Sequence, residues 1–220
     1  MKFQKGSIFK PDKDYYKIAG MLLVIGGIMY VLAINIGESL FPGYSVATNS
    51  LSDIGGMLPL IQPAANIFNS VNIILGLLII SSAYLIIKSG GCRLFSACLV
   101  IFGFCIGALG VFPEYTHLTH VVFATIAFFS GSFALIFSYR LGINIPMTIL
   151  GIILGLIALI TILSPLIFGI GPNNPLDVFG KGGAERLIIY PIIMYLTALG
   201  GYLSARGKDW VRIRFTNGYW

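Results

Sequence analysis

The sequence predicts an all-α fold, a bundle of six transmembrane helices, and three observations lead there. Only 10% of the 220 residues are charged and 57% are hydrophobic, whereas soluble domains run at about 25% charged and roughly 45–50% apolar. The mean hydropathy is +0.91, which excludes a soluble enzyme, a disordered tail and a disulfide scaffold. The apolar residues also gather in six runs, each near the ~20 residues that a helix needs to cross a hydrocarbon core of about 30 Å.

In chain order the predicted spans are Ile18–Ile36, Asn66–Ile87, Leu94–Val111, Leu118–Tyr139, Pro146–Ile170 and Leu187–Ser204. All must be helical, because an unpaired backbone group in lipid costs several kcal/mol. A transmembrane barrel is excluded, since its strands alternate apolar and polar residues and these runs are apolar on every face. The first run has a basic flank like a signal peptide, but its core exceeds the usual ~7–15 residues, so a retained helix is expected. The division is then a basic N-terminal segment at 1–17, the membrane domain at 18–204, and a basic tail at 205–220 whose Trp210 and Trp220 suit a membrane surface.

Charge orients the bundle. Twelve of the 14 cations fall on one side: five lysines before the first span, Lys88 and Arg93, Arg140, and Arg206 to Arg214 in the tail. By the positive-inside rule that side is cytoplasmic, with both termini there and the protein expected to be multi-pass in the cell membrane. The formal charge of +6 therefore describes a face near anionic lipid. No nucleic-acid motif accompanies it, and no nucleic-acid partner is expected.

The minority of charges lies on the other side, with both histidines, and three segments there are candidates for function. The first is the long apolar connection between spans one and two, where Thr48-Asn49-Ser50-Leu51-Ser52-Asp53-Ile54-Gly55-Gly56 mixes cap and turn formers with apolar flanks. It is expected to pack back on the bundle and hold Asn49, Ser52 and Asp53 against the helices; a turn or cap explains the string equally well. The second is Phe112-Pro113-Glu114-Tyr115-Thr116-His117-Leu118-Thr119-His120. Pro113 suits a helix start, and on a helix from there Glu114, His117 and His120 share one sector. Such a set could bind a divalent transition metal or share a proton, or it could simply be an N-terminal acid with interfacial polar neighbours.

The third segment is Gly182-Gly183-Ala184-Glu185-Arg186. An arginine at the membrane edge requires a partner or an anion: Asp53, Glu114, or a lipid phosphate or carboxylate. Asn66, Asn69 and Asn72 are expected to point inward to the same cluster. Gly103-x-x-x-Gly107 and Gly151-x-x-x-Gly155 are small-residue faces for close helix packing. Cys92, Cys98 and Cys105 have no zinc or redox spacing.

At these residues the chain resembles the prokaryotic polytopic membrane proteins catalogued as domain of unknown function 998. The likeness rests on Asn49-Ser50-Leu51-Ser52-Asp53-Ile54-Gly55, on Gly110-Val111-Phe112-Pro113-Glu114 with His120, and on Gly183-Ala184-Glu185-Arg186. It implies a six-helix membrane domain and supplies no activity. A fainter similarity in style is to membrane hydrolases of the ceramidase type, which use a Ser, an Asp and three His around zinc; this chain has two His.

Three functions fit. The first is an outward-facing polar site that binds or modifies a lipid head group or small polar solute. There Asp53, Glu114, His117 and His120 are candidate catalytic residues, Asn49, Ser52, Glu185 and Arg186 candidate binding residues, and His117, His120 and Glu114 candidate metal ligands. Membrane lipids are the expected partners. The second is an accessory subunit of a larger membrane complex. The third is a small transporter, for which no inverted repeat is evident.

Overall fold

The computed structural model describes residues 14–216 apart from 170 and 172, with side chains described to residue 205. The basic segment at 1–13, the expected span end at Ile170 and the side chains of Trp210 and Trp220 lie outside the described residues. The described elements are α1 (Tyr15–Leu40), α2 (Asp53–Gly56), α3 (Ala64–Lys88), α4 (Arg93–Val111), α5 (Leu118–Phe137), α6 (Ile145–Phe168) and α7 (Gly180–Thr216). Six helices are long and apolar enough to cross a membrane, and no strand occurs among the described residues.

The outward faces have the composition that lipid requires. On α1, Ile18, Met21, Ile25, Ile28, Leu32 and Ile36 are 43–57% exposed and recur every three or four residues, so they form one stripe. Water would penalise such a stripe; hydrocarbon does not. The opposite face of α1, with Ala19, Leu23, Tyr30 and Ile34, is buried.

The six long helices close into a ring. α1 packs against α3, α3 against α4, α4 against α5, α5 against α6, α6 against α7, and α7 returns to α1. Neighbours run antiparallel: Ser82 Oγ on α3 donates to the Ala19 carbonyl on α1 at 3.0 Å, whereas Leu75, two turns earlier on α3, meets Gly26, two turns later on α1. α3 and α4 cross closely, with a Cβ on Gly76 placed 2.4 Å from the Gly103 carbonyl oxygen and 2.8 Å from Gly107 N, and α1 meets α7 as closely, with a Cβ on Gly20 placed 2.4 Å from the Gly200 carbonyl oxygen. In lipid no hydrophobic force drives helices together, so close backbone approach and dispersion do that work. The second small-residue face, Gly151 with Gly155, sits against α5 at Leu135 and Ser132.

Polar pins lock the ring. Fully buried Tyr195 on α7 shares a 2.5 Å hydrogen bond with Ser138 and donates to the Met147 carbonyl at 3.2 Å, joining α7 to the end of α5 and the start of α6. Asn144 caps α6 by accepting from Met147 N at 3.0 Å.

The connection between α1 and α3 folds back over one end of the ring. Leu51 and Ile54 are 1% and 0% exposed, and α2 packs on α3 and on the turn before α5. Met57, Leu58 and Leu60 face outward instead. The loop is pinned from α3 by Asn69 Nδ2, which donates to the Gly55 carbonyl at 2.9 Å. The three asparagines expected to point inward to one cluster are divided: Asn72 is buried but bonds the Phe68 carbonyl of its own helix at 3.0 Å, and Asn66 is exposed. Each three-residue step falls about 60° short of a full turn, which is enough to swing the flanking side chains off a narrow contact.

Candidate functional site

The back-folded loop is built around Asp53. Ser50 N donates to Asp53 Oδ2 at 3.0 Å and Asp53 N donates to Ser50 Oγ at 3.1 Å, the reciprocal exchange that starts a helix. Asn49 Nδ2 adds a bond to Asp53 Oδ2 at 3.1 Å. The small turn is then held from α7: Glu185 accepts from Leu51 N at 2.6 Å, Ser52 N at 3.4 Å and Ser52 Oγ at 3.3 Å.

Glu185 and Arg186 part company because adjacent helical residues point about 100° apart. Arg186 makes an ion pair with Glu38 at the end of α1 and donates to Tyr44 Oη at 3.0 Å and to the Gly182 carbonyl at 2.8 Å. Tyr44 Oη in turn donates to the Ser50 carbonyl at 2.9 Å. The expected partners Asp53 and Glu114 are thus replaced by Glu38. α7 also begins at Gly180, ahead of the predicted Leu187, so both charges sit on helix rather than in a loop.

The segment before α5 is likewise divided. Glu114–Thr116 form a single 3-10 turn, and His117 takes φ 50° and ψ −108° before α5 starts at Leu118. Positive φ is uncommon for a residue with a Cβ, and here it breaks the helix. The expected common helical face of Glu114, His117 and His120 therefore does not form. Among the described residues no three His, Cys, Asp or Glu side chains gather as a metal-binding group.

A different arrangement brings several of these residues together. A cleft of about 650 Å³ opens between α5, α6 and α7, and Ser52, Glu114, His117, His120 and Glu185 are on its lining. Asn49, Asp53 and Arg186 are not. The same lining carries Ser50, Thr125, Thr161, Ser164, Asn174, Asp177 and Lys181 among the apolar Val121, Ala124, Phe128, Ile162 and Ile188. From His120 to Phe128, the lining residues of α5, is eight helical steps, so the cleft follows α5 for about 12 Å, somewhat under half the depth of a hydrocarbon core.

The sequence reading does not single out Thr161, Ser164 or Asn174. Its available signal is Thr161-x-x-Ser164-Pro165 inside an otherwise apolar run. Pro165 has no N–H for the Thr161 carbonyl one turn back, and Ser164 Oγ supplies that bond at 2.9 Å. Asn174 Nδ2 then donates to Ser164 Oγ at 3.3 Å and to the Gly169 carbonyl at 3.2 Å, drawing the loop after α6 over the cleft.

The acidic pair at the mouth is electrostatically split. Burial, a hydrogen bond to Asp53 and the charges of Asp53 and Glu185 push Glu114 up to about 8. Burial also acts to raise Asp53, but hydrogen bonds from Glu114, Asn49 and Ser50 outweigh it and hold its carboxyl below the usual range. Two adjoining carboxyls cannot both ionise cheaply, so at neutral pH Glu114 keeps the proton and Asp53 the charge. His120 is 8% exposed and its Nδ1 lies 2.9 Å from the Phe112 carbonyl. A carbonyl only accepts, so Nδ1 carries the hydrogen, and Nε2 of the neutral ring keeps its lone pair.

Six apolar crossings around a polar cleft at one end define a multi-pass α-helical membrane protein. Residues 24–202 match the family described as protein of unknown function (DUF998), and the chain belongs to that family. No curated protein and no solved structure matches it.

Proposed function

We propose that the chain is a cell-membrane protein whose cleft binds an amphiphile, with the polar head among Glu114, His120 and Glu185 and a chain along the apolar floor. The single observation that supports this reading is one cavity with two kinds of lining, ionisable and hydroxyl groups beside aliphatic and aromatic ones, which runs ~12 Å along α5 from His120 to Phe128. A small polar solute needs no apolar floor. A purely structural cluster needs no cavity, because polar groups that only brace helices pack solid.

With the basic side in the cytoplasm, this mouth opens on the opposite leaflet. Glu114, protonated at neutral pH and hydrogen-bonded to Asp53, and His120, with a nitrogen lone pair, also put an acid and a base on the same lining, the set required if the head group is modified rather than held. The binding reading is tested first. Full-length protein is purified from its membrane and its co-purifying lipids are measured by mass spectrometry, beside Ala124→Phe and Ile162→Phe, which fill the cleft from α5 and from α6. Wild type is expected to retain a defined amphiphile that both variants lose while staying folded by thermal unfolding. Equal retention in all three would overturn the reading.

A further inference from the structure

The chemistry of the cleft goes further than amphiphile binding, and the inference rests on that reading. Every buried polar side chain on its walls has already given its hydrogen to the protein. His120 Nδ1 bonds the Phe112 carbonyl, and Thr161 Oγ1 bonds the Ile157 carbonyl at 2.8 Å. Ser164 Oγ bonds the Thr161 carbonyl and Asn174 Nδ2 is shared between Ser164 and Gly169. Half-buried Ser52 Oγ is spent on Glu185.

What these buried groups still offer is lone pairs, while Thr125, exposed on the lining, adds one hydroxyl that can donate or accept. Glu185 takes three donors and gives none, so it acts as a carboxylate. Asp177 and Glu185 are set against a single lysine, Lys181, on the lining; Asp177 and Lys181 are both exposed, and Glu185 is not. A phosphate among the buried groups would meet acceptors where it requires donors. A protonated amine brings N–H donors and the complementary charge, and Lys181 remains at the rim for a neighbouring anionic group.

We infer that the cleft selects a head group bearing a primary ammonium over anionic head groups. Two features of that ligand separate in experiment. Phosphatidylcholine keeps the positive charge but has no N–H to donate; phosphatidylglycerol has hydroxyl donors and a net negative charge.

The test titrates the full-length protein in detergent with phosphatidylethanolamine, phosphatidylcholine and phosphatidylglycerol of matched chains, read by native mass spectrometry. Phosphatidylethanolamine is expected to bind at least about tenfold tighter than either, the smaller effect expected for a hydrogen bond to a charged group. Asp177→Asn, at an exposed side chain with no hydrogen bond among the described residues, is expected to narrow the preference over phosphatidylglycerol; an unchanged preference would count against the acidic lining as its source. Displacement by free ethanolamine supports recognition of the amine itself, and resistance to displacement supports the lipid-borne form. Phosphatidylglycerol binding as tightly as phosphatidylethanolamine overturns the ammonium inference and leaves the amphiphile cleft standing. Failure of all three lipids to bind overturns both.

Discussion

Replacing Glu185 with alanine removes the acceptor that ties the α1–α3 connection to α7. Leu51 is 1% exposed and its N–H donates to Glu185 at 2.6 Å, so no solvent takes the bond over. A hydrogen bond to a charged partner contributes about 1.5–3 kcal/mol, and a stranded buried donor adds its desolvation cost. With Ser52 N and Oγ also released, Glu185→Ala should destabilise the fold by about 2–4 kcal/mol. At ~2–4 °C per kcal/mol for a chain of this size, the transition falls by about 4–16 °C.

Glu185→Gln keeps a carbonyl for Leu51 and should lose only about 1 kcal/mol. The assay pairs thermal unfolding with amide hydrogen exchange, in which protection at Leu51 and Ser52 should collapse in the alanine variant and persist in the glutamine one. Equal stability of the two variants, or unchanged exchange at Leu51, would refute the claim that Glu185 holds the loop.

Two further predictions concern the acidic pair and the helix crossing. The folded-state value of Glu114 is raised to about 8, so the stability its proton contributes is full below the ordinary carboxylate range and is lost as pH rises through about 8. Asp53 has the opposite sign, its contribution present at neutral pH and lost as pH falls through its lowered value. Thermal unfolding between about pH 5 and 8 should therefore show wild type weakening, with Glu114→Gln giving a flatter profile; parallel profiles would contradict the shared proton. Gly76→Ala places a Cβ 2.4 Å from the Gly103 carbonyl oxygen and should cost about 1–3 kcal/mol by overpacking, read in the same unfolding assay; a neutral result would mean that α3 and α4 separate without penalty.

Much of the architecture is legible one segment at a time. The stripe from Ile18 to Ile36 and the runs in the other spans announce helices in lipid because transfer from water depends on local composition. Gly103 and Gly107 likewise announce a close crossing, since a missing side chain matters wherever a neighbour falls. The cleft is different. The spacing of Glu114 and His120 predicts one helix for both, and both line the cleft although His117 breaks that helix. Glu185 and Arg186, adjacent in sequence, serve different neighbours. Thr161 and Ser164 read as ordinary residues of an apolar run until Pro165 and Asn174 turn them toward a cavity.

The sequence by itself determined the six crossings and the sidedness of charge that predicts their orientation, because hydropathy and the positive-inside bias act on each segment independently. Only the tertiary structure decided that Glu185 holds the loop, that Arg186 belongs to Glu38, and that Glu114, His120 and Ser164 border one cleft. Those pairings join residues far apart in the chain. They depend on how antiparallel helices are rotated and offset, and a few tens of degrees of rotation separate a side chain that faces the cleft from one that faces lipid.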